Sequence, residues 1–175
     1  MTRFARGLAL AVLASGALVA GCGSTSNAAT VGDQAITIAT LQQQYEAITA
    51  TEGTQVSQAQ LLGNAITVAL VDDLAEREGI EVSAAQVDAA LREESLGATG
   101  SQVYDDLVAE QMRARLQVVA LTQQGVDVPA AAEQLAAEVG VEVNPRYGTW
   151  TGITLEPGTG SISVPGTPAP AASGS

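Results

Sequence analysis

The middle of the chain carries the pattern that most constrains the fold. Residues 61–71 read LLGNAITVALV, inside a predicted helix over 58–78 that Gly79 ends. Apolar side chains in this run face most sides of the helix and do not form a single stripe. A helix of that kind in water is normally central and covered on several sides by other elements. We therefore predict a small domain that is built around this helix.

Four other segments also predict helices. After Thr37, a good N-cap residue, apolar side chains recur at spacings of three and four, as on one face of a helix. Ser83 and Ser101 are N-cap candidates for two later segments, and Pro129 suits the first position of a short Ala-rich one. The predicted helices cover 38–51, 84–95, 101–124 and 130–139.

The two ends of the domain predict strands. Thr30–Ile36 reads TVGDQAI, with a plausible hairpin turn at Gly32 and Asp33, and Val141–Val143 alternates as a strand does. An isolated hairpin is marginal, so it should pair with another element. We expect a small sheet where Thr30–Ile36 meets Val141–Trp150. The predicted fold class is mostly α: four to five helices, with a small β element that pairs the N- and C-terminal segments.

The start of the chain predicts a secreted, lipid-anchored protein. Arg3 and Arg6 precede an apolar stretch over 8–19, which is too short to span a bilayer comfortably and is typical of a secretory leader. Residues 18–22 read LVAGC and closely resemble the bacterial lipobox. That motif implies cleavage after Gly21 and acyl chains, such as palmitate, on Cys22, where two or more chains anchor stably. The alternative is an uncleaved anchor helix with an incidental cysteine.

Composition excludes most kinds of catalytic site. The chain has no His, no Lys and one Cys. These absences exclude His-based nucleophile activation, Ser-Lys pairs, Schiff bases, P-loops and Cys/His zinc sites. A net charge of −12 argues against nucleic acid as a partner. We expect no enzyme activity, no cofactor and no metal site; the alternative is an enzyme that uses carboxylates alone.

Three local motifs, in their order along the chain, resemble a known family. They are ATVGDQAIT at 29–37, IEVSAAQVD at 80–88 and VEVNPRYGTW at 141–150. Together with the order of predicted helices they resemble the N-terminal domain of the SurA family of extracytoplasmic chaperones and of PrsA-type foldase lipoproteins, over roughly 29–152. Many members carry a parvulin-type isomerase domain, for which this chain has neither room nor histidines. The resemblance therefore implies chaperone-like client binding without prolyl isomerase activity.

The predicted organisation has four parts. A signal peptide covers 1–21, and a linker covers 22–29 after the lipidated Cys22. A helical domain like that of SurA covers 30–152, and the Gly/Pro/Ser/Thr/Ala-rich segment 153–175 is predicted to be a disordered tail. We expect the protein at the extracytoplasmic face of the cell membrane, held by the acyl chains on Cys22.

Four large side chains are candidates for client binding: Tyr45, Met112, Tyr147 and Trp150. Aromatic rings and Met suit apolar binding surfaces. In the other interpretation, Tyr147 and Trp150 hold the closing segment on the helices and Met112 belongs to the core, because a small Ala-rich core gains much from a few large groups.

The functional hypothesis follows from the lipobox, the helix order and the missing catalytic residue types. It is an ATP-independent, membrane-anchored lipoprotein that binds unfolded or partly folded secreted chains through apolar surface between helices. The alternative is a structural or interaction lipoprotein, fixed as a subunit in an envelope complex.

Overall fold

The computed structural model describes residues 26–54 and 56–156. Its helices are α1 (Ile38–Glu52), α2 (Gln58–Arg77), α3 (Ala84–Glu93), α4 (Gln102–Gln123) and α5 (Val128–Val139). Its strands are β1 (Asn27–Val31), β2 (Gln34–Thr37), β3 (Val141–Val143), β4 (Thr149–Trp150) and β5 (Leu155–Glu156). The fold is mostly helical with small antiparallel sheets, which confirms the predicted fold class.

Helix α2 is the centre of the domain, as its apolar middle predicts. It packs against α1, α4 and α5 and against the sheet. Its buried side chains are spread around the helix: Leu61, Leu62, Ile66, Ala69, Leu70, Val71, Leu74 and Ala75. The neighbouring face of α1 is covered as well, because Leu41 and Ile48 are buried against the same core.

The N- and C-terminal segments meet in a three-stranded sheet of order β2-β1-β3. β1 and β2 form the predicted hairpin around Gly32, whose φ of 55° is left-handed and suits a residue without a Cβ. β3 pairs antiparallel with the other side of β1, with Ala29 opposite Val143 and Val31 opposite Val141. This pairing confirms the prediction that a small sheet ties the two ends of the domain together.

Polar caps fix where the helices begin. The side chains of Thr37, Ser57, Ser83 and Ser101 each accept a hydrogen bond from the backbone N–H three residues ahead. These starts agree with the sequence. Helix α5 differs slightly: it begins at Val128 with Asp127 as its cap, so that Pro129 lies at the second helical position instead of the first.

The domain is longer than 30–152 at both ends. β1 begins at Asn27, inside the predicted linker 22–29, because its backbone pairs with both β2 and β3. At the other end, β5 lies inside the predicted tail 153–175 and pairs with β4, which packs Trp150 and Leu155 against the core. The boundary at 153 is therefore wrong, since the hairpin buries apolar surface that offsets its ordering entropy. The signal peptide 1–21, Cys22 and residues 157–175 lie outside the described residues.

Candidate binding groove

The structure places the four predicted client-binding residues mostly inside the domain. Met112 and Tyr147 are each only 6% exposed, and Tyr45 and Trp150 are half-buried. Tyr45, Tyr147 and Trp150 belong to or pack against the main hydrophobic cluster, whereas Met112 is buried outside it. A client could not reach Met112 or Tyr147 without opening the domain, so the core interpretation describes their positions.

Tyr147 helps to hold the closing segment on the sheet. Its backbone N–H donates to the carbonyl of Asn144, whose own N–H donates to the carbonyl of Ala28 at 2.9 Å. The side-chain amide of Asn144 donates to the carbonyl of Asn27, and the guanidinium of Arg146 lies 4.9 Å from the centre of the Tyr147 ring. The ring and its neighbours therefore join β1 to the end of the domain.

An open groove lies elsewhere, between α3, the start of α4 and the connecting segment 94–101. Its volume is about 600 Å³, which falls in the range of ligand pockets. Its apolar lining comes from Leu91, Leu96 and Val108, with two alanines beside them. Leu96 is 44% exposed, so its side chain is open to a ligand. We refer to this feature as the α3–α4 groove.

The end of α3 forms one wall of the α3–α4 groove. The backbone N–H of Leu96 donates to the carbonyl of Leu91 at 2.8 Å, and that of Ser95 donates to Arg92 at 3.1 Å. With Ser95 at a left-handed φ of 59°, this is a Schellman motif. The motif ends the helix at Glu93 and turns the side chain of Leu96 back beside Leu91. The sequence predicted a helix as far as Ser95 because glycine, the usual signal, is absent from that position.

The start of α4 fixes the other end of the connecting segment. A carboxylate oxygen of Asp105 accepts hydrogen bonds from the Thr99 backbone N–H at 3.0 Å and from the Thr99 hydroxyl at 2.8 Å. These bonds stabilise the charged form and lower the pKa of Asp105. Nearby, the Tyr104 hydroxyl donates to Glu52 at 2.7 Å, which raises the pKa of Tyr104 and ties α4 to the end of α1. The groove is therefore held in shape at both ends.

The rim of the α3–α4 groove is acidic. Asp88, Asp105 and Asp106 line it, against the single guanidinium of Arg92. Arg92 lies 4.0 Å from Asp88 in an exposed i,i+4 pair, which contributes little to stability. A groove with an apolar floor and an acidic rim can hold an apolar group that has a positively charged group next to it.

A second, more polar hollow lies beside the hairpin turn, next to the C-terminal half of α2. It has a volume of about 700 Å³ and is lined by Asp33, Asp72, Asp73 and Glu76. Arg77, also in its lining, donates to Glu138 at 2.9 Å and to Asp73 at 3.0 Å, and these hydrogen bonds raise the pKa of Arg77. Within 26–54 and 56–156, no group of three or more acidic or thiol side chains is arranged to hold a metal ion.

One pair of carboxylates is relevant to the alternative that the protein is an enzyme that uses carboxylates alone. Glu110 of α4 is half-buried, and burial, together with the charge of Asp72 on α2, raises its pKa. The two side chains line different hollows, however, and the one beside Glu110 has a volume of only about 10 Å³. That space is at the limit for one water molecule and holds no substrate.

The comparisons with known proteins give no relative. No protein-family model, no curated protein and no solved structure matches this chain. Among the residues described, none of the five helices has the length and apolar character that crossing a bilayer requires.

Proposed function

We propose that this protein is a membrane-anchored extracytoplasmic lipoprotein that binds unfolded or partly folded secreted chains, without ATP and without isomerase activity. The observation that carries the proposal is the open α3–α4 groove, whose floor offers Leu91, Leu96 and Val108 to an apolar side chain. Apolar side chains are exposed along an unfolded polypeptide and are hidden in most folded ones, so such a groove selects unfolded chains.

The groove lies away from the central helices, whose apolar faces offer no surface to a client. The apolar faces of α1 and α2 are covered, with Leu41, Leu62 and Ile66 fully buried. Client contact is therefore assigned to the edge of the domain, where α3 packs mainly against α4. A small, exposed binding surface suits weak and reversible contacts, which an ATP-independent chaperone needs because no energy-driven step releases its client.

The lipid anchor is supported by LVAGC at 18–22. Because β1 begins at Asn27, the chain from an acylated Cys22 to the folded domain can extend over no more than about 18 Å. The domain would then work close to the membrane surface, where secreted chains emerge before they fold. Metabolic labelling with an alkyne-tagged palmitate should label the wild-type chain and leave Cys22→Ser unlabelled; an unlabelled wild-type chain would contradict the anchor.

An aggregation assay tests client binding. The full chain in phosphatidylcholine nanodiscs is mixed with reduced α-lactalbumin, and aggregation is followed by light scattering. We expect suppression at molar excess, with no effect from empty nanodiscs. Leu96→Asp should lose the effect because it places a charge on the apolar floor. Val119→Asp is the matched control, since Val119 is 48% exposed on α4 and outside the groove.

The same variants separate this function from that of a fixed subunit in an envelope complex. Affinity capture of the full chain from membranes should recover many different proteins in small amounts if it binds unfolded clients. A single partner in stoichiometric amount, captured equally well by Leu96→Asp, would overturn the chaperone proposal in favour of the structural one.

A further inference from the structure

The charges around the α3–α4 groove indicate which class of peptide segment the groove binds. We infer that the groove prefers short apolar segments that are flanked by Arg or Lys, and discriminates against the same segments flanked by acidic residues. This inference rests on the proposed function, because it names the class of segment that the proposed client site accepts.

The floor of the groove sets the apolar part of the preference. Leu91, Leu96 and Val108 present methyl groups from two helices and the segment between them. A volume near 600 Å³ accommodates a few side chains and not a folded surface. The floor is also largely preformed, since hydrogen bonds to Leu91 and to Asp105 fix the two ends of segment 94–101. Preorganisation lowers the entropy cost of binding a flexible peptide.

The rim sets the charged part. Three carboxylates against one guanidinium leave an excess of negative charge at the mouth of the groove. Arg92 lies beside Asp88 and partly offsets it, whereas Asp106 is exposed and has no basic side chain within ion-pair distance in the described structure. Asp105 keeps its charge through its hydrogen bonds from Thr99. The net charge of −12 for the whole chain adds attraction at longer range.

The geometry of long basic side chains fits this arrangement. Arg and Lys lay their aliphatic stems along apolar surface and hold the charge at its edge. A segment whose apolar residues fill the groove would therefore bring flanking guanidinium or ammonium groups to Asp88 and Asp106. Each exposed pair contributes modestly, so two pairs should change the dissociation constant by about three- to tenfold at low salt.

The test uses three fluorescein-labelled peptides with one apolar core, Leu-Val-Ala-Leu-Val, flanked on both sides by two Arg, two Ser or two Asp. Fluorescence anisotropy is measured with the full chain in phosphatidylcholine nanodiscs, and binding to empty nanodiscs is subtracted. We expect the Arg-flanked peptide to bind most tightly and the Asp-flanked one most weakly. The difference should shrink as salt rises from about 50 mM to about 500 mM, because exposed charges are screened.

Paired variants locate the preference. Asp88→Asn with Asp106→Asn should remove most of the difference in affinity between the Arg-flanked and Asp-flanked peptides. The control combines Asp33→Asn with Glu142→Gln, two exposed acids outside the groove, which changes the net charge equally and should keep the preference. Circular dichroism of each variant checks folding. Equal binding of all three peptides, or a preference that survives neutralisation of Asp88 and Asp106, would overturn the inference.

The outcomes keep the two proposals apart. If the wild-type chain suppresses aggregation and Leu96→Asp does not, but the peptides bind equally, the chaperone function stands and the charge preference is wrong. If the peptides show the expected preference and aggregation is unaffected at molar excess, the groove binds peptides as inferred and the chaperone proposal is wrong.

Discussion

Helices α2 and α3 both pack against α4, yet they differ completely in how far they are covered. α2 has buried side chains along its whole length and contacts three other helices and the sheet. α3 has one buried side chain, Val87, and packs mainly against α4. The comparison teaches that the buried contacts that stabilise this small domain lie around α2, whereas its open apolar surface lies beside α3.

The difference has an energetic consequence. Each fully buried Leu or Ile on α2 removes a whole side chain from water and fills space that no neighbour can otherwise fill. α3 depends on Val87, on the half-buried Leu91 and on the reciprocal hydrogen bonds between Ser83 and Gln86 at its start. Regions with so few buried contacts open locally before the whole molecule unfolds. The wall of the α3–α4 groove is therefore less stable than the core beside it.

The largest expected difference is in the free energy of unfolding, when the same substitution is made in each of the two regions. Leu62 is fully buried and Leu96 is 44% exposed. Leu62→Ala should lower the free energy of unfolding by about 2–5 kcal/mol, because it removes buried methyl groups and leaves a cavity. Leu96→Ala should change it by no more than about 0.5 kcal/mol. Urea unfolding of the full chain in nanodiscs, followed by far-UV circular dichroism, measures both values.

A milder variant keeps this comparison measurable if Leu62→Ala fails to fold. Ile66→Val, at another fully buried position on α2, should cost about 0.5–1.5 kcal/mol. If Leu96→Ala proved as costly as the α2 variants, the two regions would form one cooperative core, and the contrast between them would be wrong.

The sequence predicted the core better than the groove, and the reason is physical. The extent of α2 and the caps at Ser57 and Ser83 depend on residues close together in the chain, so their signals are local. The groove depends on where α3 leaves α4, which the Schellman motif at Ser95 decides. Because Ser stands where glycine is usual, no residue type marked that turn.

The candidate residues show the same limit. Tyr147 and Met112 are large and apolar, but side-chain type does not tell whether such a residue faces a client or the core. Tyr147 is buried in a closing segment that Asn144 hydrogen-bonds to Asn27 of β1, and that bond joins distant parts of the chain. Leu96, an exposed apolar side chain of the groove, lies in a connection that the sequence predicted only as the end of a helix and a turn.

The next effect tests whether α3 opens separately from the core. Val87 is 4% exposed. Val87→Ala should lower the free energy that holds α3 against the domain by about 2 kcal/mol, because methyl groups are lost and a space is left. Hydrogen exchange measured by mass spectrometry should become faster in α3 and in segment 94–101, with little change in α2. The matched control is Val119→Ala on the exposed side of α4, which should alter neither region. Equal acceleration in α2 and α3 would mean that α3 unfolds only with the whole domain.

The smallest effect contrasts two carboxyl groups, one from each region, whose pKa values move in opposite directions. Glu110 faces α2, where burial and the charge of Asp72 raise its pKa, and the nearby charge of Arg113 offsets part of that rise. In the groove, hydrogen bonds from Thr99 lower the pKa of Asp105. With a raised pKa, Glu110 binds more protons in the folded state, so stability falls as pH rises from its unfolded to its folded pKa. The contribution of Asp105 is present above its unfolded pKa and is lost as pH falls through its lowered folded pKa.

Thermal unfolding from about pH 3 to about pH 8 should separate the two groups. Glu110→Gln should raise Tm by roughly 1–3 °C at neutral pH and make little difference at the acid end, because the wild-type carboxyl is then protonated as well. Asp105→Asn should lower Tm at neutral pH, and this loss should shrink as the pH falls. Since Asp105 fixes the wall of the groove and Glu110 does not, only Asp105→Asn should also speed hydrogen exchange at Thr99. If both variants shifted Tm in the same direction at neutral pH, the two carboxyl groups would not differ in environment as their contacts require.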